Sequence, residues 1–239
     1  MHSNNELGSI QPIAELVQIA GAIPVHTDAV QSFGKIPFNF EELGVSAATL
    51  SAHKIGGPLG VAALVLKHGI DLAPLLHGGG QEREIRSGTI NAPGIVAFAK
   101  AAEIAIATRE SNFKVIRELR DQLITGLKHA VPDLILNSPA DPALPGVVNI
   151  SIPGTESDAL LLLLDSEGVS ASAGSACSAG VPRPSHVLIA MGIAEELADA
   201  SLRISIGASN TSDEIKKVIS LMPSVIERAR NAFAVGKLS

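Results

Sequence analysis

Residues 45–66 read VSAATLSAHKIGGPLGVAALVL: two short apolar runs separated by a turn rich in glycine and proline. The runs Val45 to Leu50 and Gly60 to Leu66 are bounded by Gly or Pro and too short for stable helices, so both are predicted to be strands. Upstream, residues 22–28 form another brief apolar stretch that ends on the carboxylate of Asp28. Before that, Pro12 occupies a position that a first helical turn accepts, Ile13, Leu16, Val17 and Ile19 recur at roughly helical spacing, and Gly21 is a stop signal. Strands alternating with a helix predict α/β architecture.

Downstream of Gly78-Gly79-Gly80 and a polar stretch, residues from about 93 to 130 are rich in Ala, Glu, Lys and Leu and poor in breakers. They predict one long helix or two joined end to end. Beyond the proline-rich stretch from Pro132 to Pro145 the pattern restarts. A strand is predicted over 147–152, a helix over 156–167, a small-residue loop around Cys177, a helix over 185–191, a strand over 202–206 and a helix over 212–228. The division predicted is residues 1–110 and a smaller α/β domain, residues 111–239.

The chain has 239 residues, 46% of them hydrophobic and 18% charged, enough apolar material for a sizeable core. Trp and Tyr are absent and Phe is sparse, so Ala, Val, Ile and Leu must build that core, and aromatic platforms for stacking bases are missing. The net charge is −6 and the basic residues are scattered, which argues against nucleic acid as a partner. No apolar run approaches the roughly 20 residues that cross a bilayer, and the first residues, MHSNNELGS, lack the pattern of a secretory leader. A soluble, cytoplasmic chain without membrane contact is expected. One cysteine allows no intrachain disulfide and makes a tetrahedral zinc site improbable; His77 and His186 read as structural or surface residues.

Within the opening segment, Lys54 leaves a strand beside Ser51 and His53 and enters a glycine-rich turn. An amine held there can be deprotonated to attack a carbonyl, and hydroxyl, imidazole and backbone N–H groups can grip a phosphate. A surface lysine following a strand would look the same. Asp28 falls at a strand end, where open α/β sheets place their ligand crevice, and a pyridinium nitrogen needs such a carboxylate. Helix caps and turns also use aspartate there.

Taken together, Asp28, Gln31 three residues on, and the Ser51-Ala52-His53-Lys54 turn resemble the cofactor motifs of class V, fold-type I enzymes that use pyridoxal 5′-phosphate (PLP). Asn4-Asn5-Glu6-Leu7-Gly8, His77-Gly78-Gly79-Gly80-Gln81-Glu82 and Arg86-Ser87-Gly88-Thr89 narrow the resemblance to cysteine desulfurases. The run Gly174-Ser175-Ala176-Cys177-Ser178-Ala179-Gly180 is similar to the active-cysteine loop of the group in which that loop is long. The resemblance covers essentially the whole chain. It implies that residues 1–110 are the C-terminal part of a PLP-binding large domain with a mainly parallel sheet, and that residues 111–239 are the small domain carrying the cysteine loop.

Carried over residue by residue, the resemblance makes Lys54 the lysine that holds the cofactor covalently and later shuttles the substrate Cα proton. Asp28 pairs with the pyridinium nitrogen and Gln31 with the phenolic oxygen. Asn5 lies near that oxygen and the substrate carboxylate, and Ser51 and His53 bind the phosphate. Thr89 is similar to a residue that reaches the phosphate of a neighbouring subunit, which implies a homodimer. Arg203 matches the arginine that takes the substrate carboxylate, a task suited to its planar fork of donors. A solvated strand-end charge is the plainer reading of that arginine. Cys177 sits among residues too small to bury it, and a nucleophile that takes sulfur and delivers it elsewhere needs such backbone freedom. The thiolate is the form that attacks.

The implied reaction converts L-cysteine to L-alanine and leaves a persulfide on Cys177 for iron–sulfur cluster or thiocofactor assembly, by way of a sulfur-acceptor or scaffold protein. Members of this family carry roughly a third of their length before the point that matches Met1, including a Gly-Gly-Thr phosphate turn and a histidine that stacks on the cofactor. The sequence has no substitute for either, so it is expected to be truncated relative to the family and to expose apolar surface in its N-terminal part. Two rival readings stay open: another class V PLP enzyme, such as a selenocysteine lyase or an aminotransferase, and a catalytically incomplete fragment or scaffold of the same fold.

Overall fold

The computed structural model describes residues 1–174 and 184–236; Cys177 and the loop predicted around it lie outside them. The chain divides into two compact units: Met1–Ser3 with Gln11–Glu110, and Asn4–Ile10 with the residues from Ser111 onward.

In the first unit, helix α1 (Ile13–Ala20) starts after Pro12 and stops at Gly21, whose φ of 60° suits glycine and whose N–H returns to the Val17 carbonyl. Strand β1 (His26–Asp28) is shorter than the apolar stretch that predicts it, because Pro24 has no N–H to place in a ladder. The single-turn helix α2 (Phe40–Leu43) has no sequence periodicity to announce it, but Asn39 caps it by accepting the N–H groups of Glu41 and Glu42. Strands β2 (Ala47–Ser51) and β3 (Ala62–Leu66) follow.

The sheet order is β1-β2-β3. β1 runs parallel to β2, with Asp28 opposite Thr49, whereas β3 runs antiparallel to β2. The mixed pairing has a simple cause. The stretch from Ala52 to Val61 is a tight turn, and a parallel return would need a longer crossover. Central β2 buries Ala47, Ala48 and Leu50, which is why its sequence reads as a nearly continuous apolar run. Ala29, Leu50, Ala52, Val61 and Phe98 form one core cluster, and Ile13, Val45 and Ala48 another.

Helix α3 (Ala92–Ala130) is a single uninterrupted element that belongs to both units. In the second unit it presents Leu119, Leu123 and Leu127, spaced four apart, to the largest core cluster. There they meet Val148, Ile150 and Ile152 from around β5 (Val147–Ser151), Leu160 and Leu164 of α4 (Ser157–Ser166), and Leu202 of β6 (Ser201–Ser205). Each such leucine or isoleucine contributes roughly 1.5–3 kcal/mol by leaving water. A two-residue strand β4 (Ile135–Leu136) completes an antiparallel sheet of order β4-β5-β6.

Short helices α5 (His186–Ala190) and α6 (Glu195–Asp199) precede β6. Helix α7 (Ser212–Gly236) outruns its predicted end near 228, burying Met222, Val225, Ile226 and Ala229 at helical spacing. Its start is a capping box: Thr211 Oγ1 accepts the Glu214 N–H, and Glu214 Oε2 accepts the Thr211 N–H.

Apolar side chains stand open on the first unit, with Ile19 82%, Leu59 82% and Leu75 94% exposed. Among the described residues no helix is long and apolar enough to cross a membrane.

Candidate active site

Parallel pairing brings the C-terminal ends of β1 and β2 to the same edge of the first sheet. Asp28 is the last residue of β1 and Ser51 the last of β2, so Asp28 and the Ser51–Lys54 turn emerge side by side. Asp28 is exposed, and its Oδ1 accepts the Val30 N–H at 2.8 Å, which orients the carboxylate at the strand end. Its backbone is fixed as well: Asp28 O accepts from His2 N at 2.7 Å, and Ala29 N donates to Thr49 O at 3.0 Å.

After β2, residues Ala52–Ile55 form a 3-10 turn that closes on Gly56 at φ 80°. Ala52 is fully buried and anchors the turn, while His53 and Lys54 project into solvent. Ser51 Oγ and His53 Nδ1 share a hydrogen bond of 2.7 Å, which sets hydroxyl and imidazole beside each other. Gln31 lies on the turn after β1, where its Oε1 accepts from Lys35 Nζ at 3.3 Å. Burial, and secondarily the charge of Lys54, push the Lys35 ammonium pKa down to about 8.

Lys35 escaped the sequence reading. Its one signal was a cation inside the apolar stretch Phe33 to Ile36, a place where lysine is seldom buried without reason. Asp28, Gln31, Ser51, His53 and Lys54 therefore cluster at one sheet edge. Thr89 is exposed on the segment after Gly88.

The cluster fits PLP on its own chemistry. Among the described residues neither Asp28 nor Lys54 has an ion-pair partner, so an open carboxylate, an open amine and a hydroxyl–imidazole pair face solvent on adjacent strand ends. A pyridinium nitrogen, an aldehyde and a phosphate are the complements of those three features.

The second unit holds Asn5 and Arg203. Asn4 accepts the N–H groups of Glu6 and Leu7 at 2.8 and 2.9 Å, curling this segment into a turn. Arg203, on β6 opposite Asn149, donates Nη1 to the Asn5 carbonyl at 3.2 Å, and its backbone pairs with Ser172 in both directions. Its Nε is buried with no partner among the described residues, a donor direction that a carboxylate would satisfy. Buried Glu6 accepts from buried Ser185 at 2.5 Å. A cleft of about 320 Å³ between Val131–Asp133 and Pro223–Asn231 contains none of the residues assigned to chemistry.

This geometry has relatives. Residues 1–218 match the class-V aminotransferase family, and the chain belongs to it. It is 45% identical over 235 residues to an IscS-like cysteine desulfurase of Mycobacterium tuberculosis, covering 97% of this chain and 60% of that protein. It is 43% identical to cysteine desulfurase IscS of Methanosarcina thermophila, over 97% of this chain and 57% of that one. The crystal structure of a NifS-like protein from Rickettsia africae superposes with a TM-score of 0.87 at 36% identity, over 95% of this chain and 60% of the other. The fold is thus α/β and corresponds to part of the PLP-dependent transferase fold. The chain spans about 60% of the length of these relatives.

Proposed function

We propose that this chain carries the PLP-lysine and sulfur-accepting cysteine of a cysteine desulfurase. The observation that carries the reading is the pairing of β1 with β2, which sets Asp28 beside the Ser51–Lys54 turn, neither charge being in an ion pair among the described residues. Asp28 would hold the pyridinium nitrogen, Gln31 the phenolic oxygen, Ser51 and His53 the phosphate, and Lys54 the aldehyde carbon. Bound there, PLP supplies an electron sink for the charge left when the substrate Cα proton is removed.

The rest falls to the chain's own groups. Lys54 Nζ, once released, takes the Cα proton as a base. Arg203 and Asn5 receive the substrate carboxylate. The Cys177 thiolate attacks the substrate sulfur, so that the Cβ–S bond breaks as an S–S bond forms. L-cysteine and the Cys177 thiol thereby become L-alanine and a Cys177 persulfide, with no external oxidant or reductant. The persulfide sulfur passes to an acceptor or scaffold protein for iron–sulfur cluster or thiocofactor assembly. Thr89 serves the phosphate of a partner subunit in a homodimer, and the chain works in the cytoplasm.

Titration with PLP tests the first half: an absorbance change that Lys54→Ala abolishes supports it, and an unchanged spectrum rejects it in favour of an inactive scaffold. Adding L-cysteine tests the second half. Sulfide release that persists in Cys177→Ala would reject sulfur transfer through that residue and favour another class V reaction.

A further inference from the structure

The turn after β1 and the turn after β2 are locked together at Gly34 and Ile55. Gly34 has a φ of 73°, and a Cβ there would lie 3.0 Å from Ile55 Cγ2 and 2.9 Å from Ala105 Cβ, so no larger residue fits. Phe33 and Ile55 also pack against the same core cluster. The consequence is that Lys35, next to Gly34, is set into a half-buried position within the electrostatic reach of Lys54, next to Ile55.

We propose that Lys35 is a positioning residue: its ammonium grips the Gln31 carboxamide by the oxygen and so presents the NH2 end of Gln31 as the free donor. A glutamine amide has two nearly isosteric ends, and only its partners decide which faces a ligand. A lysine ammonium donates and cannot accept, so the protonated Lys35 can bind only the oxygen end, at 3.3 Å. The end left over is a donor, the polarity that a phenolic oxygen requires. The proposal rests on the PLP reading above for its purpose, though not for its geometry.

Lys35 has a second effect on the same site. Among the described residues no carboxylate pairs with it, and burial and Lys54 both disfavour its charge. An anion bound beside the two lysines relieves that cost, so anion binding must raise the Lys35 pKa. By reciprocity, affinity for the anion falls as pH rises through the Lys35 titration.

The test uses the whole chain, labelled for NMR, first without cofactor. The Gln31 side-chain amide resonances are expected to shift with the midpoint of the Lys35 side chain, near pH 8, and Lys35→Met is expected to abolish that shift. A Gln31 signal indifferent to the Lys35 titration, or unchanged in Lys35→Met, overturns the proposal. PLP is then added at pH 7. Lys35→Met is expected to weaken PLP binding about tenfold, with a smaller loss of affinity between pH 7 and 9 than in the wild type; equal affinities and equal pH dependence overturn the role toward the cofactor. If the wild-type chain does not bind PLP at all, the functional reading fails, yet the amide titration still decides whether Lys35 orients Gln31.

Discussion

Glu6 and Ser185 share a 2.5 Å hydrogen bond across 179 positions of sequence. Both are buried, and Gly174 packs against the pair so closely that a Cβ on it would sit 2.8 Å from Glu6 Oε2 and 2.9 Å from Ser185 Cβ. Ser185 also accepts the Leu188 N–H at the start of α5, so one hydroxyl joins the Asn4–Ile10 segment to a helix start.

Removing the carboxylate leaves Ser185 without its acceptor in a buried site. Glu6→Ala is expected to destabilise the second unit by about 1–3 kcal/mol, the usual cost of orphaning a buried polar group. Glu6→Gln keeps an acceptor oxygen and should lose less. Urea denaturation of the three proteins orders them, and equal midpoints would show that the bond contributes nothing.

Gly34→Ala tests the lock between the two cofactor-side turns. The substitution forces an L-residue to φ 73° and drives its methyl into Ile55 and Ala105. A cost of roughly 1–3 kcal/mol is expected from backbone strain alone, measured by thermal or chemical unfolding. Because the lock also sets Lys35 and Lys54, PLP absorbance should weaken more in Gly34→Ala than in Gly21→Ala, where a Cβ meets nothing within 4 Å.

Buried polarity in the second unit supports a further expectation. Asn137 Nδ2 donates at 2.8 Å to both Asn149 Oδ1 and Ser151 Oγ, and the latter two residues are completely buried on β5. Asn137→Ala strands two acceptors at once and is expected to cost about 2–4 kcal/mol. Asn137→Asp, which keeps the shape and loses the donor, should destabilise at pH 7 and recover part of the loss as acid protonates it. Denaturant midpoints at pH 7 and pH 4 check the sign.

The regular elements were legible because each announces itself locally. Apolar runs bounded by Gly and Pro became β2 and β3, and a breaker-poor stretch became α3. Elements with no period to detect were not: α2 is one turn and β4 two residues. The direction of β3 follows from connection length, which is written in the sequence, but its antiparallel pairing was masked by the family's expected parallel sheet. Motif spacing nominated Asp28, Gln31, Ser51, His53 and Lys54, and strand pairing explains why they share an edge. Lys35, Glu6 and Ser185 received no individual role from the sequence because their significance lies in burial and in partners that only folding supplies.

Lys35 gives the most distinctive pH prediction. Its ordinary pKa of 10.5 falls to about 8 in the folded chain. Below pH 8 folded and unfolded states both hold the proton, and the cost of burying the charge is fully present. Between about 8 and 10.5 only the unfolded state holds it, so the folded state gains stability as pH rises through that window. Lys35→Met keeps most of the apolar stem and removes the charge. At pH 7 it should therefore be more stable than the wild type, by at most about 3.5 kcal/mol at about 1.4 kcal/mol per pKa unit, and the advantage should shrink steadily toward pH 10. Urea denaturation at pH 7, 8, 9 and 10 reads the difference, in which contributions from all other titrating groups cancel. A variant more stable at pH 7 yet weaker in PLP binding would mark Lys35 as a residue kept for its site at the expense of the fold. An advantage that is absent at pH 7, or that grows with pH, would mean that the ammonium is not buried as the geometry places it.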